Sequence, residues 1–308
     1  MEHIPVLLEE SIKGLNIKPE GIYIDATLGR GGHSLEIIRK LKTGKLIAID
    51  CDTEAIEESK EKLLEYKNKI VFIHGNFKDT VKILGNLDIT KIDGALFDLG
   101  VSSPQLDDIS RGFSYMSDTK LDMRMDRNTT LTAYELINTY DENALTKIFR
   151  DYGEERYSRL IAKQIIRKRS DSPINTTFDL NEIIISAIPA KARREKQHPS
   201  KRVYQALRIA VGDELSVLEE MLDTVPYILS PGGRICIISF HSLEDRIVKK
   251  AFAYYADKCV CPKDTPICIC NKEQILKIIT KKPIITDAVE AENNPRARSA
   301  KLRIAERI

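Results

Sequence analysis

The sequence predicts a doubly wound α/β fold interrupted by an inserted all-helical domain, and three observations carry that expectation. An apolar run at 22–26 (IYIDA) leads into a glycine-rich turn at 28–33 and a helix-like segment at 34–42. Strand-like and helix-like segments then alternate as far as Asp98, which implies crossover connections and a parallel sheet. From Val101 to about Ala210 no strand pattern occurs, before an apolar strand returns at 234–239 (RICIIS).

Taken in order, the run at 22–26 is continuously apolar around Asp25, as a strand covered on both faces should be. Residues 45–50 (KLIAID) form a second strand ending on a carboxylate, followed by a helix at 53–66 and a third strand at 70–74. A short helix near 78–84 precedes the fourth strand, 92–98. A polar loop at 102–126 then leads into amphipathic helices around 131–139, 142–152, 155–169, 177–188 and 200–210. The α/β rhythm resumes with a helix at 213–228, a Pro-Gly-Gly turn at 231–233, the strand at 234–239 and a helix at 242–255. The expected domains are therefore 1–110 with 211–308, and 111–210 inserted between them. An insertion after the fourth strand emerges at the edge where ligands bind in such sheets, and should form a lid or a wall for a second substrate.

Bulk composition narrows the function classes. The chain has 308 residues, 42% hydrophobic and 31% charged, which is ordinary for a soluble protein. No apolar run approaches the ~18 residues of a membrane span, and the start, MEHIPVLLEE, has no basic region followed by an apolar core. The expected compartment is the cytoplasm. Six cysteines in a chain of this size do not make a disulfide scaffold. The net charge of +2 conceals two basic regions, with 13 Lys and Arg against 4 acids over 156–208, and 14 against 7 over 246–308. Segregated positive charge suits a polyanion, although a solvated helix face has the same composition.

The turn after the first strand grips a nucleotide-like ligand in many α/β proteins: glycines bring backbone close, and a helix N-terminus aims its N–H groups. Gly29 and Gly31 occupy the first two positions of the dinucleotide pattern, but the third is Ser34, and His33 adds bulk. The mismatch favours S-adenosylmethionine, which carries an adenosine without a phosphate, over a nicotinamide dinucleotide. Asp50 stands where a carboxylate accepts from ribose hydroxyls. After the fourth strand, the segment 97–105 (FDLGVSSPQ) places polar residues and a proline-stiffened turn at the same edge, fit to orient an exocyclic amine. Cys259, Cys261, Cys268 and Cys270 lie within twelve residues and could supply tetrahedral sulfur ligands to zinc, although C-x-C spacing is less usual than C-x-x-C. Cys51 and Cys236 read as small core residues.

The motifs HIPVLL, DATLGRGGHS, FDLGVSSPQLD, RGFS, LDMRM, YGEER, HPSKRVYQALRIAVGDEL, SFHSLEDRIVK and NPRARSAKLR run nearly end to end. In that order they resemble the bacterial small-subunit ribosomal RNA cytosine-N4 methyltransferases of the H type, a class I methyltransferase family. The resemblance implies methylation of a cytidine N4 amine, in an assembled or nearly assembled small ribosomal subunit, with S-adenosylmethionine as donor. It further implies that Gly31, Gly32 and His33 form the methionine-side loop, Asp50 the ribose acid and Phe77 the adenine neighbour. Asp98 and Gln105 then match cofactor contacts around the transfer site. Because the amine is conjugated and weakly nucleophilic, acceptors beside it are expected, either Ser103 or the backbone at 102–104, with Asp98 nearby. His241 is a second candidate, with a structural hydrogen bond as its plainer reading. Arg193, Arg194, Lys196, Lys201, Arg202, Arg296, Arg298, Lys301 and Arg303 are the expected phosphate contacts. A non-catalytic RNA-binding factor on the same fold is the alternative; it would have no use for the glycine turn, Asp50 and the 98–105 loop together.

Overall fold

The computed structural model describes residues 5–100, 108–194, 197–262 and 267–308, apart from the side chains of Arg194 and Arg296. Two compact units divide the chain: Met1–Gly100 with Leu215–Ile308, and Val101–Glu214.

The first unit is built on one sheet. Strands β1 (Ile22–Asp25), β2 (Lys45–Asp50), β3 (Ile70–His74), β4 (Ile92–Asp98) and β5 (Leu229–Ser239) run parallel in the order β3-β2-β1-β4-β5. Three further strands follow: β6 (Leu276–Ile278), β7 (Ile284–Ile285) and β8 (Lys301–Arg307). Strand β8 lies antiparallel against β5, and both β6 and β7 pair with β8. The parallel strands form a doubly wound, Rossmann-like sheet whose order reverses between β1 and β4.

Side-chain alternation along each strand makes two cores. Ile24, Ile47, Ile49, Ala95, Phe97, Ile235 and Ile237 pack on one face beneath Leu218, Met221, Leu222 and Val225 of the helix Glu214–Ile228. Their neighbours Tyr23, Leu46, Ala48, Leu96, Cys236 and Ile238 face the other way. They are covered by α1 (Leu8–Leu15), through Ile12 and Leu15, and by α2 (Gly32–Lys40), through Ile37 and Ile38. The rest of this half carries α3 (Thr53–Lys62) and α4 (Thr80–Gly85).

Several boundaries differ from the sequence expectation. Helix α2 begins at Gly32, two residues early, because Gly31 takes the left-handed conformation (φ 67°, ψ 24°) that turns the chain into the helix. Helix α3 stops at Lys62, and a 3-10 turn, Leu64–Tyr66, completes that segment. The Pro-Gly-Gly segment is no separate turn. It lies inside β5, where Gly232 at φ 77° accompanies a register shift against Ile92 and Gly94. Neither α1 nor β6–β8 was expected from the sequence.

The second unit holds the helices Ala133–Thr139, Glu142–Asp151, Ser158–Arg169, Thr177–Ala187 and Ser200–Gly212. Leu136, Leu145, Phe149, Ile161, Ile165, Leu180, Ile184, Val203 and Leu207 are all buried in a core of their own. Capping boxes start two of these helices, Thr132 with Glu135 and Thr176 with Asp179. Among the described residues, no helix of either unit is long and apolar enough to cross a membrane.

Candidate active site

The crevice at the C-terminal ends of β1 and β4 is where a doubly wound sheet binds its ligand, and three carboxyl groups stand along this edge, on β2, β1 and β4. Asp25 ends β1. Ser34 Oγ donates to its Oδ2 at 2.7 Å, and the Thr27 N–H donates to its Oδ1 at 3.3 Å. Burial pushes this carboxyl up to about 6, against the donors that favour its charge.

Asp50 ends β2 and holds the glycine turn. Its Oδ2 accepts from the Gly29 N–H at 2.8 Å and its Oδ1 from the Asp52 N–H at 2.9 Å. Burial raises this carboxyl above its ordinary range, opposed by those same N–H groups. Ser59 Oγ donates to the Gly29 carbonyl at 2.8 Å, so the turn is tied from two sides. Gly32 is held just as closely: a Cβ there would lie 2.3 Å from Pro5 Cγ. Gly31 leaves the N-terminus of α2 without a side-chain cap.

Asp98 ends β4, its N–H donating to Thr27 Oγ1 at 2.7 Å. Its Oδ1 is buried with no hydrogen-bond partner among the described residues. Burial, and then the carboxylates of Asp25 and Glu244, push Asp98 well above the usual carboxylate range. His33 Nε2 lies 3.1 Å from the Val6 carbonyl, which places the ring proton on Nε2 and turns Nδ1 toward Asp98. Nδ1 stops 3.8 Å from Asp98 Oδ2, beyond hydrogen-bond reach.

Phe77 follows β3 in a 3-10 turn whose start is capped by Asn76. It meets Phe97 edge-on at 5.8 Å and is half-buried. His241 takes its plainer reading. It is the N-cap of the helix Ser242–Ala256, in a capping box with the buried Glu244, whose Oε2 accepts from the Phe240 and His241 N–H groups.

The tail basic residues require correction. Arg303 is buried in β8 and donates to Asp245 Oδ1 at 2.6 Å, with Lys301 3.3 Å from Asp245 Oδ2. Asp245 pairs with Arg303 inside the unit and is shared with the partly exposed Lys301, so the buried Arg303 is not a phosphate contact. Arg298 remains exposed, its Nε donating to the Ala291 carbonyl. Ser103, Gln105 and Lys196 lie outside the described residues, as do the side chains of Arg194 and Arg296.

Within the second unit, the YGEER and HPSKR motifs converge. Arg156, Tyr157, His198, Pro199 and Arg202 line a concavity of about 370 Å³, with Glu155 at its side. His198 stacks on Tyr115 at 4.6 Å. Arg156, Lys201 and Arg202 are exposed, and so is Arg193. The Cys259, Cys261, Cys268 and Cys270 thiols come together on an excursion after the helix Ser242–Ala256, while Cys236 is buried in β5.

The residues that sequence reasoning passed over are Asp25, Thr27 and Ser34. In sequence Asp25 is one more residue of a strand, and Ser34 is a mismatch to the third glycine of the dinucleotide pattern. Their link becomes visible only once α2 starts at Gly32 and puts Ser34 on its first turn.

This edge has a definite chemical character. Carboxyl groups raised by burial and mutual repulsion gain from a cation and would repel a pyrophosphate. The uncapped start of α2 suits a carboxylate instead. A ligand with a carboxylate and a positive centre matches both features.

The model of the MraW methylase family matches residues 1–308. Ribosomal RNA small subunit methyltransferase H of Clostridioides difficile (strain 630) is 52% identical over 307 residues, 99% of this chain and 99% of its own. The protein of the same name from Halothermothrix orenii is 55% identical over 309 residues, covering 100% and 99%. That from Clostridium botulinum (strain Kyoto) is 54% identical over 308 residues with the same coverage. Among solved structures, an rRNA methylase from Streptococcus thermophilus aligns over 98% of this chain and 93% of its own, at 10% identity and a TM-score of 0.44.

Proposed function

The chain belongs to the MraW methylase family, and on that premise we propose that it methylates the N4 amine of a cytidine in small-subunit ribosomal RNA, in the cytoplasm, with S-adenosylmethionine as donor. The full-length relatives at 52–55% identity are named for methylation of that RNA. The single observation that carries the donor is the acid-lined edge, where the Gly29–Asp50 clamp, Asp25 and Asp98, whose Oδ1 has no partner among the described residues, surround the start of α2.

Bound there, S-adenosylmethionine supplies a methyl group already made electrophilic by its sulfonium. The chain's own task is to hold the acceptor amine, receive its proton and exclude water. Asp50 would accept from ribose hydroxyls and Phe77 would flank the adenine. Gly31, Gly32 and His33 would border the methionine end. Asp98 is the acceptor for the amine. Its Oδ1 has no hydrogen-bond partner among the described residues, and a carboxyl raised above its usual range is a stronger base once ionised. Gln105 belongs to the same proposal through the family motif, and Ser103 or the backbone at 102–104 as a further acceptor beside the amine.

A cytosine must leave its stack to be methylated on N4 by a buried group. The second unit, with exposed Arg156, Lys201 and Arg202 about one concavity, would hold the RNA backbone. The test is incubation of labelled S-adenosylmethionine with undermethylated small subunits, followed by nucleoside analysis. Label in N4-methylated cytidine is expected. Label in another nucleoside, or none, would overturn the reading.

A further inference from the structure

An excursion of the first unit contains a group of side chains that methyl transfer does not use. Between Asp257 and Gln274 no described residue is buried, yet the excursion is closed at its base by the Ile275 N–H donating to the Tyr255 carbonyl at 2.9 Å. A segment of this length without a core needs some other source of order.

Its four cysteines provide one. Cys259 and Cys268 sulfurs are 3.5 Å apart, Cys268 and Cys270 3.5 Å, Cys259 and Cys270 3.7 Å, and Cys261 and Cys268 4.0 Å. All four sulfurs lie within 4.8 Å of one another, and all are free thiols. A single zinc ion with bonds of about 2.3 Å to four sulfurs has tetrahedral edges of about 3.8 Å. The observed separations bracket that edge. Iron–sulfur clusters put their thiolates on different irons with sulfides between them, and would spread the sulfurs further. Thiol pairs are weak hydrogen-bonding partners for one another, so mutual contacts alone are a poor reason for four of them to converge.

The surrounding backbone completes the pattern. The Cys261 N–H donates to Cys259 Sγ at 3.3 Å, and the N–H groups of Val260 and Lys272 donate to Cys270. Amide donors of this kind orient thiolates and offset their charge. The Lys272 ammonium meanwhile donates to the carbonyls of Tyr254 and Asp257, tying the far end of the excursion to the helix it leaves.

We propose that Cys259, Cys261, Cys268 and Cys270 bind one structural zinc ion that staples residues 257–274. Four protein ligands leave no open coordination position, so the ion takes no part in methyl transfer. The energy of binding it takes the place of the buried side chains that the described residues of the excursion lack.

The test uses the full chain, expressed in zinc-supplemented medium and purified under reducing conditions without chelator. Elemental analysis should find about one zinc per chain. Cys268→Ser, which removes the sulfur in contact with the other three, should lose it, whereas Cys51→Ser should keep it. Because the cluster lies outside both cores, Cys268→Ser should retain the far-ultraviolet circular dichroism of the parent. Limited proteolysis within 257–274 should accelerate by about tenfold or more in that variant. Cobalt loaded in place of zinc should show the absorption of a tetrahedral thiolate site. Absence of metal, iron in place of zinc, or two disulfides in the unreduced protein would each overturn the assignment. Metal content is read without any methyl acceptor, so its failure and that of the proposed activity are separable.

Discussion

Gly29 donates its backbone N–H to Asp50 Oδ2 at 2.8 Å, which makes the glycine turn after β1 and the acid at the end of β2 one structure. Substituting Asp50 therefore removes the proposed ribose acceptor and releases the glycine turn proposed to border the methionine end. Asp50→Ala should weaken S-adenosylmethionine binding by about 10–100-fold, measured by calorimetry, and cost about 1–3 kcal/mol of stability from the stranded N–H groups. Asp50→Asn, which keeps one acceptor oxygen, should fall between. Parental affinity in Asp50→Ala would remove Asp50 from the site.

Asp25 makes stability depend on pH. Its folded-state pKa of about 6 lies above the ordinary 3.8, so the folded state holds more protons between those values. That contribution is fully present below the ordinary value and is lost as pH rises through about 6, a change of about 3 kcal/mol. The raised carboxyls of Asp50 and Asp98 act in the same direction. Urea midpoints at pH 5 and pH 8 should differ less in Asp25→Asn than in the parent, and more in Ser34→Ala, which loses the 2.7 Å donor. An unchanged slope in Asp25→Asn would show that another group governs it.

Asp98 is expected to act on turnover. Asp98→Asn keeps the shape and loses the proton acceptor, so kcat should fall by about 10²–10⁴-fold with a small change in KM. The basic limb of the pH–rate profile should stay, and the acidic limb should vanish. A variant with parental kcat would exclude Asp98 as the base.

His241 should prove dispensable for chemistry. His241→Ala removes a helix cap and should lower stability by about 0.5–2 kcal/mol. His241→Asn, a good capping residue, should restore most of it. With stability restored, methyl transfer should run at the parental rate. A lasting loss of kcat in His241→Asn would instead give this residue a part in the reaction.

Arg156 and Arg202 should contribute charge to RNA binding. Replacing both with alanine should weaken binding to small subunits and reduce the salt dependence of the affinity by about one to two phosphate contacts. S-adenosylmethionine affinity should not change. An unaltered salt slope would place the RNA path elsewhere.

Strands β2, β3 and β4 have the bounds expected from their apolar runs. In β2 and β4 this is because a strand buried on both faces needs an apolar side chain at nearly every position, whereas the edge strand β3 is only partly buried. Strand β8 escapes the same reasoning. Lys301 and Arg303 alternate with Leu302 and Ile304, and in sequence they look like a solvated basic tail. Only Asp245, brought near by the helix Ser242–Ala256, lets Arg303 sit buried in the sheet. The start of α2 was obscured for another reason: glycines are poor helix formers, and the close approach of Pro5 to Gly32 cannot be seen locally.

What the sequence by itself determined was the α/β alternation, the glycine turn, the acids at Asp50 and Asp98, and the family to which the motifs point. Periodicity and turn chemistry are local properties, readable within a few residues. What only the tertiary structure decided was how those groups depend on one another: Asp25 accepting from Ser34, Asp50 clamping Gly29, and Asp98 keeping an oxygen without a partner among the described residues. Four cysteines spaced unpromisingly along the chain likewise reach tetrahedral separations only in space. These are effects of burial and of distance between residues remote in sequence, and they exist only once the sheet has closed around them.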